Sequence, residues 1–257
     1  MTNKTRLTFL GTGTSQGVPM IGCSCEVCSS GDPRDKRLRA SVFVEHEGLK
    51  ILVDAGPDFR QQMLREGISH VDAILLTHNH KDHTGGLDDI RAFNYLEKRA
   101  TDIYCEKYVE DSLRMEYSYA FAENKYPGAP EWRVHMIDEN PFEINGVKII
   151  PIRGRHYKLP VLGFRFGNIA YCTDMNHIPE EEFEKLKGLE HFVINCVRRG
   201  HHISHFALEG ALKVAEKVGA RHTWLTHLSH QLPRHVDLTE ELPEGVLPAY
   251  DGLVIKA

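Results

Sequence analysis

The sequence has no apolar stretch long enough to cross a membrane, since none approaches the roughly 18 consecutive apolar residues of a spanning helix. Its N-terminus meets Gly11 too early for a signal-peptide core. It also has no low-complexity tract, long linker or repeat of fixed period. Hydrophobic residues make up 41% of its 257 residues, enough to bury a full core. We therefore expect a cytoplasmic protein with no membrane partner, folded as a single domain over residues 1–257.

Basic residues are not in excess. The 31 Lys and Arg residues against 36 Asp and Glu residues give a net charge of −5. Proteins that grip long nucleic acids usually carry a basic face, because phosphate contacts supply much of the affinity. We therefore expect no extended nucleic-acid footprint, and a small substrate rather than a polymer.

Metal-ligating side chains, by contrast, are abundant, with 16 histidines and six cysteines. Cys23, Cys25 and Cys28 fall within six positions, which in a cytoplasmic chain indicates metal ligands before disulfides. A tetrahedral structural zinc needs four ligands, and His230 provides the fourth. The alternative is a group of reduced, buried thiols.

Hydrophobic periodicity predicts hairpins and helices interleaved along the chain, which favours one layered α/β domain. Predicted strands cover 6–10, 41–46, 49–53, 71–76, 161–166, 169–172, 191–196 and 222–226, with a hairpin over 142–152. Predicted helices cover 57–67, 83–96, 107–121, 179–186 and 204–218, the last with Ser204 as its N-cap. The segment 107–132 is either helix core or a partner surface.

The sharpest motif follows the predicted strand 71–76, where His78, His80, Asp82 and His83 fall within six residues. Alternate side chains of an extended chain share a face, so His78 and His80 can point to one spot. If the chain then turns into a helix, Asp82 and His83 can point to a second spot nearby. Two metal ions a few ångströms apart suit attack on phosphorus. A solvated polar loop is the alternative.

The segment 78–83 resembles the signature of the metallo-β-lactamase superfamily, and 51–56 resembles its second motif, whose aspartate, here Asp54, supports the site from below. The resemblance implies an α/β fold, an αββα sandwich with a dinuclear metal site at one edge of its paired sheets. It implies that His78, His80 and His156 hold one metal ion, that Asp82, His83 and His227 hold the other, and that Asp174 bridges them. His156 could instead be a surface residue, and Asp174 a turn residue or helix cap.

The cysteine cluster, together with His227 and His230, resembles the phosphoribosyl 1,2-cyclic phosphate phosphodiesterase (PhnP-like) branch of that superfamily, over residues 11–252. This resemblance implies a metal-dependent hydrolase that cleaves small, cyclic phosphodiesters with a hydroxide bound by two Mn or Zn ions. It also implies a structural zinc and a homodimer. The catalytic candidates are Asp82 and His205. The position of His205, at the start of the predicted helix 204–218, matches that of the branch's general acid.

Three other functions stay open at this point. A tRNA 3′-processing nuclease and a carbon-ester or lactone hydrolase share the metal motif or the fold. The third is a non-catalytic accessory protein of quinone-cofactor synthesis, which would lack some of the residues that bind the catalytic metal ions. Cys105, Cys172 and Cys196 are expected in the core, and Arg198 receives no role.

Overall fold

Two seven-stranded sheets make up the centre of the computed structural model, which describes residues 5–257. In chain order the strands are β1 (Arg6–Gly11), β2 (Ser41–His46), β3 (Leu49–Val53), β4 (Ala73–Leu75), β5 (Thr101–Cys105), β6 (Trp132–Met136), β7 (Phe142–Ile144), β8 (Val147–His156), β9 (Leu159–Phe166), β10 (Ile169–Cys172), β11 (His191–Asn195), β12 (His222–Thr226), β13 (Val246–Pro248) and β14 (Val254–Lys256). One sheet has the order β14-β1-β2-β3-β4-β5-β6 and the other β13-β12-β11-β10-β9-β8-β7.

Helices cover the outer faces of both sheets. They are α1 (Phe59–Glu66), α2 (Lys81–Thr84), α3 (Arg91–Glu97), α4 (Lys107–Glu116), α5 (Leu208–Val218) and α6 (His235–Glu241), with 3-10 helices at Pro33–Asp35, Leu87–Ile90, Ser118–Ala120 and Glu180–Leu186. Among the residues described, no helix is both long enough and apolar enough to span a bilayer.

Side chains along each strand point alternately to the two faces of its sheet, and this alternation separates the core between the sheets from the core under the helices. Ile51 and Val53 of β3 pack between the sheets, whereas Leu52 points to the helices on the outer face. A second outer cluster joins α5 to the other sheet. The result is a sandwich of helices, two mixed sheets and helices, which confirms the predicted fold class. Cys105, Cys172 and Cys196 are buried in these clusters, as predicted.

Several predicted elements differ in extent. The predicted helix 83–96 is interrupted after α2, where a side chain on Gly86 would lie 2.1 Å from the Gly56 carbonyl oxygen. Segment 179–186 is a 3-10 helix, and β5, β6, β13, β14 and α6 were not predicted. In the segment 107–132, Val109, Leu113 and Tyr117 pack into the core, as helix-core packing predicts.

The predicted helix 204–218 starts later than expected, and this corrects the role given to Ser204. The helix α5 begins at Leu208 and Ala207 is its N-cap. The Phe206 N–H donates to the Met175 carbonyl at 2.6 Å, and the Val197 N–H donates to the Phe206 carbonyl at 3.1 Å. These long-range hydrogen bonds hold the residues before Leu208 as an extended segment, so His205 precedes the helix.

Candidate metal centre

The candidate site lies where several strands end at one edge of the sandwich. β3 runs parallel to β4, and β10, β11 and β12 run parallel to one another, so their carboxyl ends share an edge in each sheet. β3, β4, β10 and β12 are followed by Asp54, His78, Asp174 and His227, and β8 ends at His156. His80 is the N-cap of α2, and Asp82 and His83 lie within this short helix.

One group of side chains forms a tight donor cluster. The ligand atoms of Asp82, His83, Asp174 and His227 all lie within 4.8 Å of one another. The Nε2 atom of His83 is 3.3 Å from Asp82 Oδ2 and 3.2 Å from Asp174 Oδ2. The Nε2 atom of His227 is 3.7 Å from Asp82 Oδ2. The structure therefore brings together all three residues predicted for one ion, with Asp174 beside them.

The three histidines predicted for the other ion also meet. The ring centroid of His78 is 4.6 Å from that of His80 and 5.7 Å from that of His156, and the His80 and His156 rings are 4.9 Å apart. On this side a donor cluster within 4.8 Å consists of His156, Asp174 and His205. His205 therefore has the position of a possible ligand as well as of a proton donor.

Supporting hydrogen bonds orient the histidines so that one nitrogen of each ring faces the site. Asp54 Oδ2 lies 2.6 Å from His83 Nδ1, and the Thr77 N–H and hydroxyl each donate to the same carboxylate at 2.9 Å. The Thr77 hydroxyl is also 2.9 Å from His78 Nδ1. Such partners of the distal ring nitrogen typically fix the tautomer and ring orientation of metal-binding histidines.

Gly56 allows the histidine motif to pack against the end of β3. A Cβ atom at this position would lie 2.0 Å from the backbone oxygen of Asp82. The Ala55 N–H donates to the His83 carbonyl at 2.8 Å, which joins the two motifs directly. Glycine is therefore required at position 56, because the two backbones approach too closely there for a side chain.

The cluster without metal behaves as a buried network of opposite charges. Burial alone favours neutral Asp174, but the charges of His227 and His83 hold its pKa well below the usual range. Burial opposes the charged form of His227, yet Asp174 and Asp82 raise its pKa to about 9. Burial and then the His227 charge lower the pKa of His205 to about 3. A histidine that carries a proton beside a carboxylate must lose that proton before it can bind a metal ion, so metal binding at this cluster releases protons.

The donor atoms fit metal ions because several of them are buried without a well-formed hydrogen bond. His78 Nε2, His83 Nε2, His205 Nδ1 and both ring nitrogens of His227 are buried and make no hydrogen bond within residues 5–257. Buried polar atoms without partners are rare and costly. Imidazole and carboxylate together suit Zn and Mn.

Sequence reasoning gave no role to His202. Its Nδ1 atom accepts hydrogen bonds from the backbone N–H groups of Ser204 at 3.3 Å and His205 at 3.2 Å. The Ser204 carbonyl in turn accepts from His156 Nδ1 at 2.8 Å. His202 therefore braces the segment that orients His156, and no sequence pattern signals this, because the contact depends on the path of the loop.

The cysteine cluster converges as a second donor group. The ligand atoms of Cys23, Cys25, Cys28 and His230 lie within 4.8 Å of one another. His230 Nδ1 is 3.3 Å from Cys23 Sγ and 3.4 Å from Cys25 Sγ. All six cysteines are free of disulfides. The set matches the Cys₃His type of structural zinc site.

Comparison with known proteins gives the family. The Beta-lactamase superfamily domain matches residues 50–228. A crystal structure described as a new diphosphatase from the PhnP family has a TM-score of 0.93 and 40% identity, covering 99% of this chain and 97% of that one. Zn²⁺-bound PqqB from Methylobacterium extorquens has a TM-score of 0.78 at 19% identity, covering 97% of this chain and 99% of that one, and shows the fold alone.

A curated relative is longer than this chain. An octanoyltransferase of Porphyromonas gingivalis is 43% identical over 251 residues, which are 96% of this chain and 51% of that protein. The chain thus spans about half the length of this relative. The family match and the structural match confirm the resemblance found in the sequence. The chain therefore belongs to the metallo-β-lactamase superfamily and is PhnP-like within it.

Proposed function

We propose that this chain is a metal-dependent phosphodiesterase that hydrolyses small phosphodiesters such as ribose or nucleoside cyclic phosphates. The observation that carries the proposal is the position of Asp174 between two donor clusters. Its Oδ2 atom is 3.2 Å from His83 Nε2, and its Oδ1 atom is 3.1 Å from His227 Nε2 and 3.7 Å from His205 Nδ1. A carboxylate shared in this way supports two ions a few ångströms apart, as two-metal phosphoesterases use.

Two divalent ions, Zn or Mn, would lower the pKa of a water molecule and offset negative charge developing on phosphate oxygens. The chain's own part is to fix their ligands: Asp54 orients His83, Thr77 orients His78, and the Ser204 carbonyl orients His156. Asp82, with a pKa held low by the His83 charge despite burial, provides a permanent anion.

His205 is proposed to give a proton to the leaving oxygen. Burial and the His227 charge lower its pKa in the metal-free cluster, and the negative charge of a phosphate bound beside it would raise that pKa again. Opening a cyclic ribose phosphate expels an alkoxide, a poor leaving group that benefits from a general acid. The His205 ring centroid lies 4.5 Å from that of His156 and 4.7 Å from that of His227, at the edge of both clusters. This position supports proton transfer to an oxygen of a phosphate bound between them.

The relatives' names support phosphate chemistry more than acyl transfer. The protein that is 40% identical over nearly its whole chain is described as a diphosphatase. The octanoyltransferase is about twice as long, and this chain matches 51% of it, so its name assigns no acyl transfer here. The small substrate also agrees with the net charge of −5.

The test is hydrolysis of a ribose cyclic phosphate by protein loaded with Mn or Zn, in which chromatography separates the cyclic substrate from the ring-opened phosphate monoester. We expect turnover that a chelator abolishes and that the Asp174→Asn variant loses. Glu190→Gln is the matched control, because Glu190 precedes β11 at the opposite edge of the sheet and should retain activity.

Failure of folded, metal-loaded protein to cleave this ester would overturn the proposal. Cleavage of a lactone or thioester instead would favour a carbon-ester hydrolase, and cleavage of precursor tRNA would favour the nuclease. Inactivity on all of these would favour the accessory role.

A further inference from the structure

An open groove of about 770 Å³ leads away from the metal centre, and its inner end is formed by His80 and His156. Its walls are mainly apolar and come from two separate segments. Tyr157, Leu159 and Pro160 lie at the tip of the β8–β9 hairpin, and Ile203 lies on the loop before α5. The groove thus begins at predicted metal ligands and continues into apolar surface.

The tip of the hairpin presents an aromatic ring to the groove. Tyr157 follows His156 directly and has a φ of 58°, a conformation that bulky residues rarely adopt. Its side chain is 51% exposed, and that of Ile203 is 59% exposed. The Lys158 Nζ atom lies 5.4 Å from the Tyr157 ring centroid. Large side chains that are exposed beside a reaction centre provide apolar surface that a substrate can contact.

One polar side chain joins the two walls. Asn176 Oδ1 accepts the Tyr157 N–H at 3.0 Å, and Asn176 Nδ2 donates to the Ile203 carbonyl at 2.8 Å. The Tyr108 hydroxyl donates to the Pro160 carbonyl at 2.6 Å and anchors the outer part of the hairpin tip. The groove is therefore preorganised, which lowers the entropy cost of binding.

We propose that this groove is the subsite for the organic arm of the substrate, and that it takes a planar aromatic ring, such as a nucleobase, stacked on Tyr157 and packed against Ile203. The inference rests on the proposed phosphodiesterase function and names its substrate class: nucleoside cyclic phosphates over base-free sugar phosphates. A groove open on one side suits a flat ring, which needs one exposed aromatic face, better than an alkyl chain, which needs enclosure.

The test compares two substrates with the same scissile bond. Metal-loaded protein is assayed with adenosine 2′,3′-cyclic phosphate and with methyl riboside 2,3-cyclic phosphate, and the ratio of their kcat/KM values is measured. Stacking of one base on one aromatic ring predicts a ratio of about 10 or more in favour of adenosine.

Tyr157→Gly is the decisive variant, because glycine adopts the positive φ without strain and the variant should fold at least as well. We expect the ratio to fall towards one in this variant, to fall in part in Ile203→Ala and to be retained in Tyr157→Phe. Tyr126→Ala is the matched control, since Tyr126 is 79% exposed and does not line the groove.

A ratio near one in the unmodified protein, or a ratio that Tyr157→Gly leaves unchanged, would overturn the subsite while the phosphodiesterase function stands. Hydrolysis of neither substrate would overturn the phosphodiesterase and the subsite together.

Discussion

His227 Nε2 lies 3.1 Å from Asp174 Oδ1, and both residues have left-handed backbones, with φ of 54° and 58°. Each comes just after a parallel strand, β12 and β10 respectively. Asp54, at the end of β3, has a φ of 64°. Positive φ is uncommon outside glycine, and such residues cluster at functional sites where the surroundings hold them. The sharp turn after each strand brings these three side chains into one site.

Replacing Asp54 with Asn should weaken metal binding while keeping the fold. Asn adopts positive φ readily and can still accept the Thr77 N–H, but its amide cannot accept from His83 Nδ1. Loss of such a partner typically costs about 10–100-fold in metal affinity. Competition with a chromophoric chelator measures it. Asp72→Asn, before β4 at the other edge, is the control, and equal affinity in both variants would contradict the role of Asp54.

The His205→Ala variant should separate proton donation from metal binding. We expect about 10²–10⁴-fold slower opening of a cyclic ribose phosphate. Hydrolysis of bis(p-nitrophenyl) phosphate should fall much less, because its leaving group needs no proton. Metal content, measured by emission spectrometry, should stay the same. If the variant instead lacks one ion per chain, His205 is a ligand with His156 and Asp174.

The two metal-binding groups should lose their ions independently. Cys25→Ser is expected to hold one zinc fewer per chain and to melt at lower temperature, since structural zinc contributes folding energy. A loss of about 3 kcal/mol would lower Tm by roughly 6–12 °C. Asp174→Ala should show the reverse pattern, with the structural zinc retained. A zinc count unaffected by Cys25→Ser would favour the alternative of reduced thiols.

Acid should destabilise the protein partly through His235, which is 4% exposed at the start of α6. Burial and the charge of Arg37, whose Nη2 atom lies 3.3 Å from the His235 Nδ1 atom, lower the His235 pKa to about 4. Since an unfolded histidine titrates near 6.5, the unfolded chain binds the proton first as pH falls. The stability is therefore complete above pH 6.5 and decreases towards pH 4.

His235→Gln removes this titration. The unfolding free energy of the unmodified protein, relative to the variant, should fall by up to about 2 kcal/mol between pH 7.5 and pH 5. Urea unfolding of protein at equal metal saturation measures the difference. His201→Gln, an exposed histidine, should show no such change. A pH-independent difference for His235→Gln would show that the histidine titrates normally.

Local patterns in the sequence predicted much of the architecture and the core of the site. The alternation in β3 and the glycine after α1, which has a φ of 64° at Gly67, depend on neighbouring residues and are visible in one sequence. The cluster His78, His80, Asp82 and His83 is equally local, because six residues at a strand end place their side chains together. β5 and β6 were missed because their short segments lack a clear period.

By itself, then, the sequence determined the layer faces, the C-terminal ends of α1 and α5 and the ligand types, all of which depend on residues a few positions apart. The tertiary structure alone decided that Asp174 lies between His83 and His227, because that distance depends on strand order and register in two sheets. It also decided that His205 precedes α5, and that Asn176 joins Tyr157 to Ile203. The segment before α5 is held by long-range backbone hydrogen bonds, and Asn176 acts through its side chain. Neither kind of contact has a counterpart in local spacing.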